Sequence, residues 1–197
     1  MADAITQTIH AFILLLVIMD PLAALPVFLR ITQKFTPRRR VHSANRAIRF
    51  SAILLALVLL LGEGLLELFG ISFDAFRIAG GIVLLVLGIT YMFRIHIGHD
   101  KPYATDILVP FATPLIVGPG VMTTAILFVG WYGLIPTAIA AAGALAVCYI
   151  TLRFANPIAD RLGLQGIEVV TRLMGLILVA FAVQMMRDGV AGFILGG

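Results

Sequence analysis

The sequence predicts an all-α membrane protein of six transmembrane helices, arranged as two inverted three-helix repeats with interrupted first and fourth helices. Three observations predict it. Hydrophobic residues make up 61% of the chain, charged residues 12%, and mean hydropathy is +1.08, against roughly 25% charge in soluble domains. Six apolar runs, about 5–29, 47–68, 75–94, 106–128, 133–153 and 169–191, each approach the ~20 residues that cross a ~30 Å hydrocarbon core. Two markers then recur at nearly one spacing: Asp20-Pro21-Leu22 returns 93 positions later as Thr113-Pro114-Leu115, and Arg77 returns 95 positions later as Arg172.

The first run is long enough to span, yet Asp20-Pro21-Leu22-Ala23-Ala24-Leu25-Pro26 places a helix-start signal in its middle. The aspartate side chain can accept an orphan amide as an N-cap, and proline at the first helical position loses nothing by lacking one. The N-terminus, Met1-Ala2-Asp3, has no basic segment and no convincing cleavage site, so the first run reads as a retained span and not a signal peptide. After it come Arg30, Lys34, Arg38, Arg39, Arg40, Arg46 and Arg49, which the positive-inside rule places in the cytoplasm.

Alternation fixes the rest. Arg94 and Lys101 after the third run, and Arg153 and Arg161 after the fifth, fall inside as well, and the connection between the fourth and fifth runs carries Trp131-Tyr132 with no Lys or Arg, as an interfacial anchor would. Both termini are expected outside, in a multi-pass protein of the cell (inner or cytoplasmic) membrane. The net charge of +4 and the pI near 9.7 thus belong to topology. No basic and aromatic residues interleave as a base-stacking surface would require, so nucleic acid is not expected as a partner.

The third run opens with Arg77-Ile78-Ala79-Gly80-Gly81, and the sixth holds Arg172-Leu173-Met174-Gly175. In both, the arginine precedes a glycine by three. Together with the proline motif this defines repeats of about 1–97 and 104–197 within one membrane domain, 1–197. An odd number of spans per repeat makes the second copy enter from the opposite face, the plan of many secondary transporters.

Breaks in hydrocarbon leave polar backbone that must be buried in protein or line a wet cavity. Half-helices starting at Pro21 and Pro114 would direct positive dipole ends at a carboxylate, and the carbonyls freed around Gly118-Pro119-Gly120 could receive an ammonium or a cation. The substrate-binding candidates are therefore Asp20, Pro21, Ala23, Ala24, Pro26, Thr113, Pro114, Gly118, Pro119 and Gly120, around a small zwitterionic solute. Structural capping and close packing of small residues explain the same pattern without a ligand.

Asp20 is also the ion-coupling candidate, for Na⁺ or H⁺, because an ionisable group at that depth is costly unless it has a task. Arg77 and Arg94 bracket 16 residues and Arg172 and Arg187 bracket 14, or ~24 Å and ~21 Å of helix, so one arginine of each pair must snorkel or turn inward. Arg77 and Arg172 read as structural pins of the repeat, with Glu63, Glu67 or Asp74 as partners for the first and Glu168 for the second.

Other signals point away from enzymology. His96-x-x-His99 lies in a polar link, and Cys148, the one cysteine, reads as a small core residue. With no His-Glu-x-x-His, Gly-x-Ser-x-Gly or phosphate loop, no catalytic residue, metal or cofactor is expected beyond the coupling ion. The expected partners are a small-molecule solute and the lipid bilayer, with a homo-oligomer left open.

The chain resembles the MarC/SnatA family of multi-pass membrane proteins over essentially its full length. The resemblance is carried by Met19-Asp20-Pro21-Leu22 with Pro26-Val27-Phe28, by Arg77-Ile78-Ala79-Gly80-Gly81-Ile82, by Val109 through Gly120 and by Arg172 through Leu178. It implies six spans, interrupted first and fourth helices and, for SnatA-like members, transport of small neutral amino acids such as glycine and alanine. The chain departs from the family pattern at Ala23-Ala24, where the family usually has Gly-Asn, and at Thr171, where it has an acidic residue. The alternatives are an exporter or channel for another small solute, or a non-transporting membrane scaffold.

Overall fold

A computed structural model describes residues 2–93 and 116–195. Among them every regular element is a helix: α1 (Ala2–Met19), α2 (Pro21–Ile31), α3 (Pro37–Leu68), α4 (Phe73–Phe93), α5 (Pro119–Tyr132), α6 (Leu134–Arg153) and α7 (Ala155–Leu195). Five stretches are long and apolar enough to cross a membrane, the first of them Asp3–Ile31, which runs through the α1–α2 junction; α5 is shorter. Residues 106–115 of the fourth apolar run, with Thr113 and Pro114, lie outside the described residues, as do Arg94, His96, His99 and Lys101.

Local chemistry sets the helix ends. Thr36 Oγ1 accepts the Arg39 amide at 3.3 Å and Pro37 occupies the first turn of α3. At the other end Gly70 takes φ +64°, Ile71 N–H donates to Leu66 O at 2.9 Å and Gly70 N–H donates to Glu67 O at 3.0 Å. This is a Schellman C-cap, which needs a residue free to adopt a left-handed conformation. The expected loop at Trp131-Tyr132 is corrected: both residues belong to the last turn of α5, and one residue, Gly133, separates it from α6. The helix of the sixth run starts well before residue 169, at Ala155, and is interrupted at Gly163, which has φ 64° and ψ 168°.

The core lies between helices along their whole length, with Leu15, Ile18, Leu25, Leu55, Leu84, Leu127, Phe128 and Leu178 essentially inaccessible. Large aliphatic side chains face outward in numbers no water-soluble helix tolerates. Ile53, Leu57, Leu60 and Leu61 on α3 are all at least half exposed, which is favourable only against lipid.

Small residues fix the crossings. A Cβ on Gly88 of α4 would lie 2.8 Å from Gly175 O of α7, and one on Gly175 would lie 2.8 Å from Gly88 O. Further along the same pair, Gly81 meets Met186, and Gly189 meets the turn holding Asp74 and Arg77, so α4 and α7 run antiparallel. Phe12 of α1 packs on Gly143 of α6 and Met19 Sδ lies 3.9 Å from Cys148 Sγ, so α1 and α6 run parallel. Gly80 of α4 approaches Thr123 of α5 while Leu84 and Leu87 approach Gly120, which makes that pair antiparallel too.

Candidate functional site

Asp20 stands alone between two helices. Its backbone has φ 31° and ψ 73°, a left-handed conformation that no other non-glycine residue among those described adopts, and aspartate is one of the few side chains to tolerate it. Its own N–H still donates to Leu16 O at 3.1 Å, ending α1, while its Oδ1 accepts the Ala23 amide at 3.1 Å, starting α2. Pro21 has no N–H to offer the Val17 carbonyl, so the ladder cannot continue through the junction. The interruption expected at Asp20-Pro21 is present, and its cap is the aspartate itself.

The carboxylate is buried, with 2% of the residue exposed. Oδ1 is engaged by the cap, but Oδ2 is buried without a hydrogen-bond partner. Thr171 of α7 approaches the carboxylate, yet its hydroxyl closes no hydrogen bond either. Tyr91 of α4 and Cys148 of α6 lie near enough to feel the Asp20 charge. An unpaired polar atom in the protein interior costs ~1–3 kcal/mol, so this pair of orphans, one acceptor and one hydroxyl, is suited to receiving a cationic or N–H donor.

The start of α5 packs against the end of α1. Ile116 is helical, Val117 and Gly118 are not, and α5 begins at Pro119. Its N-cap, Gly118, offers no side-chain hydrogen bond, so the amides of the first turn that proline does not remove carry no protein cap from that residue. A Cβ on Gly120 would fall 3.5 Å from Ile18 Cγ2 and 2.8 Å from Leu84, which puts the start of α5 in van der Waals contact with Ile18, the residue two before Asp20.

Of the sequence-derived candidates, Asp20, Pro21, Ala23, Ala24, Pro26, Gly118, Pro119 and Gly120 can be placed; Thr113 and Pro114 lie outside the described residues. Ala24 and Gly120 are buried, Pro21, Ala23, Pro26 and Gly118 are partly buried, and Pro119 is exposed. Sequence reasoning missed Thr171, Tyr91 and Cys148 as neighbours of Asp20. The departure at Thr171 was the one available signal; Cys148 and Tyr91 reach the site only through helix packing.

The two arginines differ. Arg77 is partly buried, with Nη1 3.4 Å from Asp74 Oδ1 in an ion pair within α4 and its guanidinium 4.9 Å from the centre of the Trp131 ring, a cation–π contact that ties α4 to α5. Glu63 instead lies beside Gly130. Arg172 pairs with Glu168 one turn away and remains more than half exposed. The aromatic group around Arg77 continues through Phe128 and Tyr132 to His10, whose Nδ1 is 2.7 Å from the Tyr132 hydroxyl.

The family description "MarC family integral membrane protein" matches residues 5–194. Among similar proteins, a UPF0056 membrane protein of Methanocaldococcus jannaschii is 37% identical over 201 residues, covering 95% of this chain and 97% of the relative. The UPF0056 membrane protein YhcE of Escherichia coli is 33% identical, covering 94% and 92%, and YvbG of Bacillus subtilis is 32% identical, covering 93% and 94%. No solved structure matches the chain. The family match over residues 5–194, relatives more than 30% identical over nearly the whole chain, and several helices long and apolar enough to cross a membrane lead to one statement: the chain belongs to the MarC family of integral, multi-pass membrane proteins.

Proposed function

We propose that this protein is a secondary transporter that carries a small neutral, zwitterionic solute, a small amino acid such as glycine or alanine, across the cell membrane. The observation that carries the reading is a buried, half-satisfied carboxylate at the α1–α2 interruption, with the start of α5 packed against the end of α1. Asp20 Oδ2 lacks a donor, and the start of α5, two residues past an uncapped Gly118, lies against Ile18.

A zwitterion supplies what each side needs. Its ammonium donates to Asp20 Oδ2 and to the Thr171 hydroxyl oxygen. Its carboxylate accepts from the amides at the α5 N-terminus, where the helix dipole favours negative charge. This reverses the polarity expected from sequence at Gly118–Gly120, because the α2 amides are already capped by Asp20 and those of α5 are not. The small residues Ala23, Ala24 and Gly120 restrict the side chain of the solute. Asp20 is closed off in this conformation, so solute exchange requires the helices around it to part, as alternating access demands. A coupling ion, Na⁺ or H⁺, would act at the same carboxylate.

The inverted-repeat plan, with repeats of about 1–97 and 104–197 in a single membrane domain and both termini outside, belongs to this proposal. The helix directions support it: α4 and α7, the third spans of the two repeats, are antiparallel. Gly80 lies against Met185, while its counterpart Gly175 lies against Tyr91, whose own counterpart is Met186. Exchanging the two helices thus reproduces the contact within one residue, as an axis between them would.

The test is uptake of labelled glycine and alanine into proteoliposomes under imposed Na⁺ or H⁺ gradients. Accumulation above empty vesicles that Asp20→Asn slows supports the reading. Flux equal to empty vesicles across a panel of small amino acids, under either gradient, rejects it.

A further inference from the structure

A groove of about 440 Å³ opens between α3 and α6, lined by Asn45, Ile48, Arg49 and Tyr149. We propose that it binds the headgroup of an anionic phospholipid that also carries a free hydroxyl, the phosphatidylglycerol class.

Depth comes first. α3 has 32 residues, ~48 Å of helix against a ~30 Å hydrocarbon core, so part of it must project beyond the lipid tails. Arg49 is the last charge before an uncharged stretch from Phe50 to Gly62, which places it where tails give way to headgroups. Tyr149 stands at the same level on α6, four residues before Arg153; tyrosine prefers that interface.

Chemistry comes second. Among the described residues no carboxylate lines the groove, and the Arg49 guanidinium closes a single bond, Nε to its own helix at Asn45 O, 3.4 Å. The terminal guanidinium nitrogens remain for a phosphate, with the Tyr149 hydroxyl as a further donor, and arginine suits that planar, two-point recognition. Arg46, one turn away on the same end of α3, draws anions toward it. Asn45 Oδ1 is buried and has no donor. A lipid phosphodiester has no proton to donate to that acceptor, whereas a headgroup hydroxyl has one. The partly buried Ile48 gives the start of the acyl chains an apolar wall.

The experiment is native mass spectrometry of the full chain in detergent, titrated separately with phosphatidylglycerol, phosphatidic acid, phosphatidylcholine and soluble glycerol 3-phosphate. The expected result is retention of phosphatidylglycerol above the other three. Arg49→Gln weakens it about tenfold or more, as loss of a charge-assisted contact does. Tyr149→Phe weakens it less, and Arg38→Gln, an exposed arginine outside the groove, leaves it unchanged. Arg49 is exposed, so its variant folds, and Tyr149→Phe provides a second probe. Equal retention of phosphatidylcholine overturns the proposal, as does equal loss in Arg38→Gln, which would mean diffuse charge attraction. Arg49-dependent binding of glycerol 3-phosphate at the same strength overturns the lipid assignment, and equal binding of phosphatidic acid at a pH where its phosphate is fully deprotonated overturns the hydroxyl contact at Asn45.

Discussion

Gly88 of α4 and Gly175 of α7 meet backbone to backbone, each so placed that a methyl group on one would come within 2.8 Å of the other's carbonyl oxygen. In a bilayer, where lipid tails are as apolar as leucine, such close approach is what holds helices together. Gly88→Ala and Gly175→Ala should each destabilise the protein by ~1–3 kcal/mol, the usual cost of overpacking. Because the residues touch, the double variant should cost less than the two effects added. Thermal unfolding in one detergent measures both, and an unchanged midpoint in either single variant contradicts the contact.

Asp20 holds the α1–α2 junction by two properties, its left-handed backbone and its cap to Ala23. Asparagine keeps both and alanine keeps neither. Asp20→Ala should therefore lose ~0.5–2 kcal/mol for the cap and a further ~1–2 kcal/mol for the backbone conformation, while Asp20→Asn stays near the parent in thermal stability and loses transport. If asparagine unfolds the protein as readily as alanine, the charge is structural and the proposed role in transport loses its support.

Thr171 approaches Asp20 with an unpartnered hydroxyl. Thr171→Val removes the hydroxyl at nearly constant shape, so stability should hold within ~1 kcal/mol or rise, since an orphan polar atom disappears. Transport of glycine should slow, and Thr171→Ser should restore it. A valine variant with parental uptake kinetics removes Thr171 from the site.

Trp131 is the chain's one tryptophan, and the Arg77 guanidinium lies 4.9 Å from the centre of its ring. Intrinsic fluorescence therefore reports this contact directly. Arg77→Gln should shift the emission, and a double-mutant cycle of Arg77→Gln with Trp131→Phe should give a coupling of ~0.5–2 kcal/mol. Asp74→Asn should weaken stability by less than ~1 kcal/mol, because both members of that pair are partly solvated. Emission unchanged in Arg77→Gln would mean that the stacking is not populated.

Cys148 is buried against Met19. Maleimide should leave it unmodified in the folded protein and label it on denaturation. In a Cys148→Ser background, cysteines at Ala24 and Gly118 then probe the site: labelling that glycine slows fits a solute pathway, and complete resistance at both positions fits the scaffold alternative.

The sequence alone determined the solvent, the class of fold and the first interruption. Composition settles membrane insertion because an uncharged run can be stable across lipid and a charged one cannot, and Asp20-Pro21 breaks a helix by local covalent chemistry alone. The motifs from Met19 to Phe28, Arg77 to Ile82 and Arg172 to Leu178 made the family legible. Tertiary structure decided what no local rule reaches. Thr171, Tyr91 and Cys148 converge on Asp20 from three helices; Asp74, and not Glu63, takes Arg77; and α4 and α7 cross where two glycines coincide. Those outcomes depend on which helix faces pack together, and between apolar helices in lipid that choice rests on side-chain shape and small-residue spacing in pairs of segments far apart in the chain, which hydropathy does not encode.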